Sequence, residues 1–232
     1  MGKYGCSLDA RDDISRHCAQ VGVDCRNGFV SNTTMSILWL LAGYLCGSVS
    51  SAIVICRLLG HADPRTVGSG NPGTTNVLRH FGKVAAALTL VGDVAKGFIP
   101  VTACTLLGFD QVVVALTGVG ALLGHLYPIF FAFKGGKGVA TLIGVLLAFD
   151  PRLGIAFMAC WISVAVLTRY SSLSALTATA LSPAVGYLLG ISAPGIIAIV
   201  IMGIFVFWRH HANIRKLING TEDKIGGTRS AG

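Results

Sequence analysis

Long apolar runs alternate with short polar connectors along almost the whole chain. They cover about residues 36–60, 84–107, 112–133, 139–149, 153–168, 173–191 and 194–208, divided by charged residues, Pro or Gly. The first, SILWLLAGYLCGSVSSAIVIC, carries no charge from Ser36 to Cys56 and as a helix would reach about 31 Å, enough to cross a hydrocarbon core. The pattern predicts an all-α membrane protein of about seven transmembrane helices. One run is too short for a full crossing: 139–149 covers about 16 Å, so it reads as a half-span or as a helix that starts deep in the membrane. Three regions follow: a polar N-terminal extension, 1–35, a multi-span transmembrane domain, 36–208, and a tail, 209–232.

Basic residues give these helices a direction, because Lys and Arg near span ends are retained on the cytoplasmic side. Arg65, Arg79 and Lys83 follow the first run, Lys134 and Lys137 the third, Arg169 the fifth, and Arg209, Arg215, Lys216, Lys224 and Arg229 the last. The opposite connectors hold only Arg152. The tail is therefore expected in the cytoplasm and the N-terminus outside. The extension mildly opposes this with Lys3, Arg11, Arg16 and Arg26, whose charge Asp9, Asp12, Asp13 and Asp24 cancel.

Composition agrees with a membrane protein: of 232 residues, 53% are hydrophobic and only 12% charged, which leaves no room for a sizeable soluble domain. GSGNPGTTN, residues 68–76, fits the glycine pattern of dinucleotide-binding loops, with Asp93 at about the expected distance. That fingerprint needs a preceding strand and a soluble βαβ unit. Both flanks here are membrane-like, and Asp93 lies inside an apolar run. The net charge of +8 is the surplus that positive-inside loops require, and no basic stripe with interleaved aromatics points to nucleic acid. Cys6, Cys18 and Cys25 have spacings that match no zinc pattern, while Cys46, Cys56, Cys104 and Cys160 read as small packing residues.

Chemistry is then expected in the three polar loops and the tail of one face. HADPRTVGSGNPGTTNVLRHFGK brings Ser69, Asn71, Thr74, Thr75 and Asn76 beside glycines that permit close backbone approach, with Arg79 as a planar fork for a phosphate or carboxylate. FKGGKGVAT sets Lys134 and Lys137 among glycines directly before a helix, whose exposed amides and dipole favour an anion. It is no Walker A loop, since Gly138 stands where Ser or Thr is required. RHHANIRKL puts His210 and Asn213 on one helical face if the last span continues. Asp93 and Lys96, one helical turn apart in an apolar run, need each other or a ligand.

GSGNPGTTNVLR, FKGGKGVAT and RHHANIRKL, with YLCGSVSSA, GDVAKG, GHLYPIF and NGTEDKIG, occur in this order from about residue 36 to 226. In these motifs the chain resembles the bacterial acyl-phosphate:glycerol-3-phosphate acyltransferases. The resemblance implies a multi-pass enzyme of the inner membrane with a cytoplasmic active site, an external N-terminus, and no metal or nucleotide cofactor. It implies transfer of a fatty acyl group from acyl phosphate to the 1-hydroxyl of glycerol 3-phosphate, giving lysophosphatidic acid and phosphate, the first step of phospholipid synthesis. The lipid bilayer is the setting, and a separate soluble acyl-phosphate synthase would supply the donor. The sequence departs from the family in residues 1–35 and at His211-Ala212, where a charged pair is common.

By this resemblance Ser69, Arg79, Lys137, His210 and Asn213 are the expected catalytic residues. Asn71, Gly73, Thr75 and Asn76 of the first loop, Gly135, Gly136, Gly138 and Thr141 of the second, and Ser172 are expected to bind substrate. Acyl phosphate is an activated mixed anhydride, so donors that stabilise developing charge and hold the hydroxyl near the carbonyl can suffice. No His-x-x-x-x-Asp dyad of thioester-dependent acyltransferases is present. A substrate phosphate is the expected proton acceptor, with His210 as the alternative. A transporter of organic phosphates would share the Lys, Arg and Gly inventory but needs paired broken helices near the midplane. Here only 139–149 looks broken.

Overall fold

The computed structural model describes residues 32–226 and contains α-helices, one 3₁₀ turn and connectors, with no strand among the described residues. The expectations about the first 31 residues, including Cys6, Cys18 and Cys25, fall outside them. Nine α-helices follow one another: α1 Asn32–Gly47, α2 Ser51–Leu58, α3 Thr74–Leu106, α4 Gln111–Leu126, α5 Val139–Phe149, α6 Pro151–Thr168, α7 Ser171–Leu188, α8 Ala193–Arg209 and α9 His211–Ile218. Contacts divide the chain between Leu38 and Trp39. The first unit adds only the opening of α1 to the described residues, and the second carries every element discussed below.

The apolar runs all become helices, but their lengths differ, and length and composition alone do not confirm seven crossings. Among the described residues, four segments are long and apolar enough to cross a membrane by themselves: Asn32–Leu58, Thr74–Leu106, Gln111–Phe131 and Pro151–Thr168. Ala193–Arg209 with His211–Ile218 makes a fifth if the pair, bent by 61°, is one span. α5 has 11 residues, the short helix that the sequence predicts. α7 has 18, yet SSLSALTATALSP dilutes its apolar character with hydroxyls. Length and composition thus account for four or five crossings, and α5 and α7 rely on their neighbours for burial.

Local chemistry explains the boundaries. Asp110 caps α4 by accepting from the amides of Val112 and Val113, and Asp150 caps α6 by accepting from Arg152, with Pro151 at the first helical position. Gly82, at φ 87°, breaks α3 between its polar first two turns and the apolar stretch that follows. The first part thereby stays with the polar loop while the second runs among the other helices.

Glycines let the helix backbones touch. A side chain at Gly43 or Gly47 of α1 would strike the carbonyls of Thr117 or Ala121 in α4, and one at Gly120 or Gly124 of α4 would strike those of Leu40 or Tyr44 in α1. Each pair is four residues apart, the small-xxx-small spacing that allows close approach of membrane helices. Gly97 of α3 meets the Thr141 carbonyl, and Gly144 of α5 meets that of Val94, so the short helix is locked to α3. Leu122, Leu126, Leu142, Val145 and Leu146 fill the space between α4 and α5, with Ile199, Met202 and Val206 of α8 in the same core.

Adding one methyl at the α1–α4 seam forces two backbones apart, and such overpacking costs about 1–3 kcal/mol. Gly120→Ala is expected to lower the melting temperature of the detergent-solubilised protein by several degrees. Gly203→Ala, whose new methyl meets only Thr179 Cγ2 at 3.4 Å, is expected to leave it nearly unchanged. Equal melting of the two variants would contradict the seam.

Candidate active site

The loop that leads into α5 is held from both sides. Gly136 donates its amide to the His125 carbonyl at 3.2 Å. From α8, Arg209 donates through Nε to the Gly136 carbonyl at 3.0 Å and through a terminal nitrogen to Gly135 at 2.9 Å. Its guanidinium also lies 5.9 Å from the centre of the Tyr127 ring. A side chain at Gly135 would strike the carbonyls of His125 and Leu126, so glycine is the residue that fits. Gly138, at φ 87°, turns the chain into α5. Lys137 is thereby fixed beside the free amides of a helix start, where an anion is favoured.

The Lys137 side chain meets the other polar segments. Its Nζ donates to Asn213 Oδ1 at 2.5 Å, and Asn213 Nδ2 donates to Glu222 Oε1 at 2.7 Å. Ser172 Oγ, in the first turn of α7, donates to the same oxygen at 2.6 Å. One step along the tail, Arg79 pairs with the Asp223 carboxylate at 3.5 Å and donates to its carbonyl at 3.4 Å. Thr75 Oγ1 lies 3.3 Å from Ser171 Oγ. Ile225 ties the tail to the connector between α6 and α7, donating its amide to the Arg169 carbonyl at 2.6 Å and accepting from the Arg169 guanidinium. Residues far apart in sequence therefore converge on two adjacent carboxylates.

Electrostatics suits anion binding. Burial pushes the Lys137 ammonium down to about 8, Glu222 opposes that, and Lys216, Arg209 and Arg79 add to it. Burial also pushes His210 down to about 4, with the Lys137 charge next in importance. His210 is only 3% exposed, and its Nδ1 lies 2.7 Å from the Val206 carbonyl. A carbonyl can only accept, so Nδ1 carries the proton and Nε2 keeps the lone pair.

Not every expected residue faces this cluster. Asn76 is buried and spends its amide on the first loop, accepting from the Ser69 amide at 3.1 Å and donating to the carbonyls of Pro64 at 2.9 Å and Val67 at 3.1 Å. These bonds shape the first loop. Thr141 is fully buried with its hydroxyl 3.1 Å from His125 Nδ1. Ser69 is exposed, and Asn71 accepts the Gly73 amide through its carbonyl at 2.9 Å. Arg65 stiffens the same loop, with a 2.7 Å ion pair to Asp63 that holds the carboxyl below its usual range and a 3.1 Å bond to the Phe131 carbonyl of the second loop. Two participants were missed by sequence reasoning as site residues. Glu222 sits in the NGTEDKIG motif, but its negative charge looks out of place in an anion site. Arg209 looks like any basic residue at a span end.

Similarity to known proteins supplies the family. The family model "Glycerol-3-phosphate acyltransferase" matches residues 37–220. A glycerol-3-phosphate acyltransferase of Thioalkalivibrio sulfidiphilus is 50% identical over 187 residues, 81% of this chain and 92% of that protein. One of Aromatoleum aromaticum is 50% identical over 194 residues, 84% and 98%. Among solved structures, the glycerol 3-phosphate form of the integral membrane glycerol 3-phosphate acyltransferase PlsY (YgiH) is 38% identical with a TM-score of 0.78, covering 82% of this chain and 96% of that one. The lysophosphatidic acid form of PlsY is 36% identical with a TM-score of 0.76, covering 82% and 94%.

The position of His210 fixes a pH dependence. A lowered value means that the imidazole gains its proton only as pH falls through about 4, not near the ordinary 6.5. A rate profile from pH 5 to 8 is expected to show no limb from His210, and a limb near 6, where a phosphate ester titrates, should persist in His210→Gln. Disappearance of that limb with the substitution would show the imidazole titrating in this range.

Proposed function

The chain belongs to the glycerol-3-phosphate acyltransferase family, and from that membership we propose that it moves a fatty acyl group from acyl phosphate to the 1-hydroxyl of glycerol 3-phosphate. The products are lysophosphatidic acid and inorganic phosphate. The observation that carries this reading is the pair of neighbouring tail carboxylates: Glu222 is held by Ser172 and Asn213 beside Lys137, and Asp223 by Arg79. The same donors, at the same spacing, suit two phosphate groups side by side, which is what two phosphorylated substrates require. Arg79 offers a planar fork and Lys137 a compact charge.

In the proposed reaction the hydroxyl oxygen attacks the acyl carbonyl, the carbon–oxygen bond of the mixed anhydride breaks, and phosphate leaves with the electron pair. The hydroxyl proton passes to a substrate phosphate. His210, too weakly basic to be a strong proton acceptor with a value near 4, orients the hydroxyl through the lone pair on Nε2. Lys137, Arg79 and the amides at the start of α5 stabilise charge on the phosphates, and desolvation in the site strengthens each of these contacts. No metal or nucleotide is needed for these steps.

The lysine and arginine distribution supports a cytoplasmic site and an external N-terminus, and family membership supports a bacterial inner membrane with a soluble acyl-phosphate synthase as the source of the donor. The division into an N-terminal extension, 1–35, a membrane catalytic domain, 36–208, and a tail with the last motif, 209–232, belongs to the same reading.

Purified protein incubated with labelled glycerol 3-phosphate and acyl phosphate is expected to form lysophosphatidic acid, and to fail with acyl-CoA or acyl carrier protein. Robust turnover of acyl-CoA would refute the donor assignment. In the same assay Arg79→Ala and Lys137→Ala are expected to reduce kcat/KM at least tenfold, since a charged hydrogen bond is worth about 1.5–3 kcal/mol. Arg79→Lys should recover little of the loss, because an ammonium lacks the fork.

A further inference from the structure

His125 stands outside the reaction proposed above, yet it touches both sides of the segment that carries Lys137. Its carbonyl accepts the Gly136 amide at 3.2 Å, and its ring lies so close that a side chain on Gly136 would strike Nε2. Nδ1 is 3.1 Å from Thr141 Oγ1 in the first turn of α5. One contact is made just before Lys137 and the other one helical turn after it. Arg209 holds the same loop through the carbonyls of Gly135 and Gly136.

Beside the ring stands a buried ion pair. Asp93 Oδ1 is 2.9 Å from Lys96 Nζ and 3.7 Å from His125 Nδ1. Lys96 also donates to the Val49 carbonyl at 2.9 Å, which ties the pair to the break between α1 and α2. Asp93 is 2% exposed, Lys96 7%, His125 5% and Thr141 0%. Charges among apolar helices are expensive to keep, and well-packed apolar residues often serve packing as well or better. Asp93 and Thr141 both stand at His125 Nδ1, which gives the cluster a task that apolar residues could not perform.

We infer that Asp93, Lys96, His125 and Thr141 form a positioning element for the Lys137 loop. Lys96 fixes the Asp93 carboxylate, the carboxylate and the Thr141 hydroxyl fix the His125 ring, and His125 sets the separation between Gly136 and the first turn of α5. That separation aims Lys137 and the free α5 amides at a substrate phosphate. All four are buried and act through the loop. The inference rests on the proposed role of Lys137 as a phosphate anchor.

Two sets of variants separate aiming from packing. Thr141→Val keeps the volume but removes the hydroxyl, and Thr141→Ser keeps the hydroxyl. The double variant Asp93→Asn with Lys96→Met removes both charges, so that neither is left buried alone. For Thr141→Val and the double variant, the KM for glycerol 3-phosphate or acyl phosphate is expected to rise at least tenfold, with kcat within about threefold and melting within a few degrees of wild type. Thr141→Ser is expected to regain most of the lost KM. An unchanged KM with only Vmax or melting lowered would reduce the cluster to packing and overturn the inference. If the double variant fails to fold, the Thr141 pair decides alone.

Should wild-type protein transfer no acyl group from acyl phosphate, the donor assignment fails on its own. The loop is then read by calorimetric affinity for inorganic phosphate and for glycerol 3-phosphate. At least one must weaken tenfold in Thr141→Val, and two unchanged affinities overturn the inference.

Discussion

The contact from Lys137 to Asn213, and through Asn213 to Glu222 and Ser172, is the interaction on which the site depends. It joins a loop before α5, helix α9, the tail and the start of α7. A lysine so largely buried needs acceptors, because a desolvated ammonium without them would give up its proton. Asn213 supplies one acceptor directly and Glu222 supplies charge from behind it. The same need makes the position receptive to phosphate oxygens.

Helix packing serves this constraint. Lys137 can sit at a helix start among other helices only if α5 is short and its backbone lies close to α3, and the glycines Gly97 and Gly144 permit that approach. The α1–α4 seam at Gly43, Gly47, Gly120 and Gly124 brings α4 up with His125 at its end, under the loop. Arg209 at the end of α8 closes the other side. Packed helices therefore fix a site whose own residues lie in connectors, in the first turns of α3 and α7 and in the short α9.

Sequence reading recovered what periodicity and motif chemistry encode. The apolar runs became helices, the short run at 139–149 became the 11-residue α5, and Lys137, Asn213, Ser172, Arg79 and Thr75 came to one side of the structure with the tail. Hydropathy alone could not settle the number of crossings, since α7 is diluted by hydroxyls and α5 is short. Asn76 and Thr141 were read as substrate contacts from their motifs, and one dimension could not show that their side chains also bond within the protein. Their bonds to Pro64, Val67 and His125 depend on the folded chain. Glu222 was hidden by its sign and Arg209 by its resemblance to an ordinary span-end residue. Asp93 and Lys96 were legible as partners from their spacing, whereas the approach of His125 to them was not.

The most direct test is an NMR titration of the Lys137 ammonium in protein carrying carbon-13-labelled lysine, with the signal assigned through Lys137→Arg. Without substrate, Lys137 is expected to titrate near 8, since burial outweighs the pull of Glu222. Saturating glycerol 3-phosphate brings a phosphate dianion into the site and favours the charged form, so the midpoint should climb toward the ordinary lysine value of about 10.4. A midpoint near 8 that the substrate leaves unmoved would contradict the account, because it would mean that no phosphate reaches Lys137.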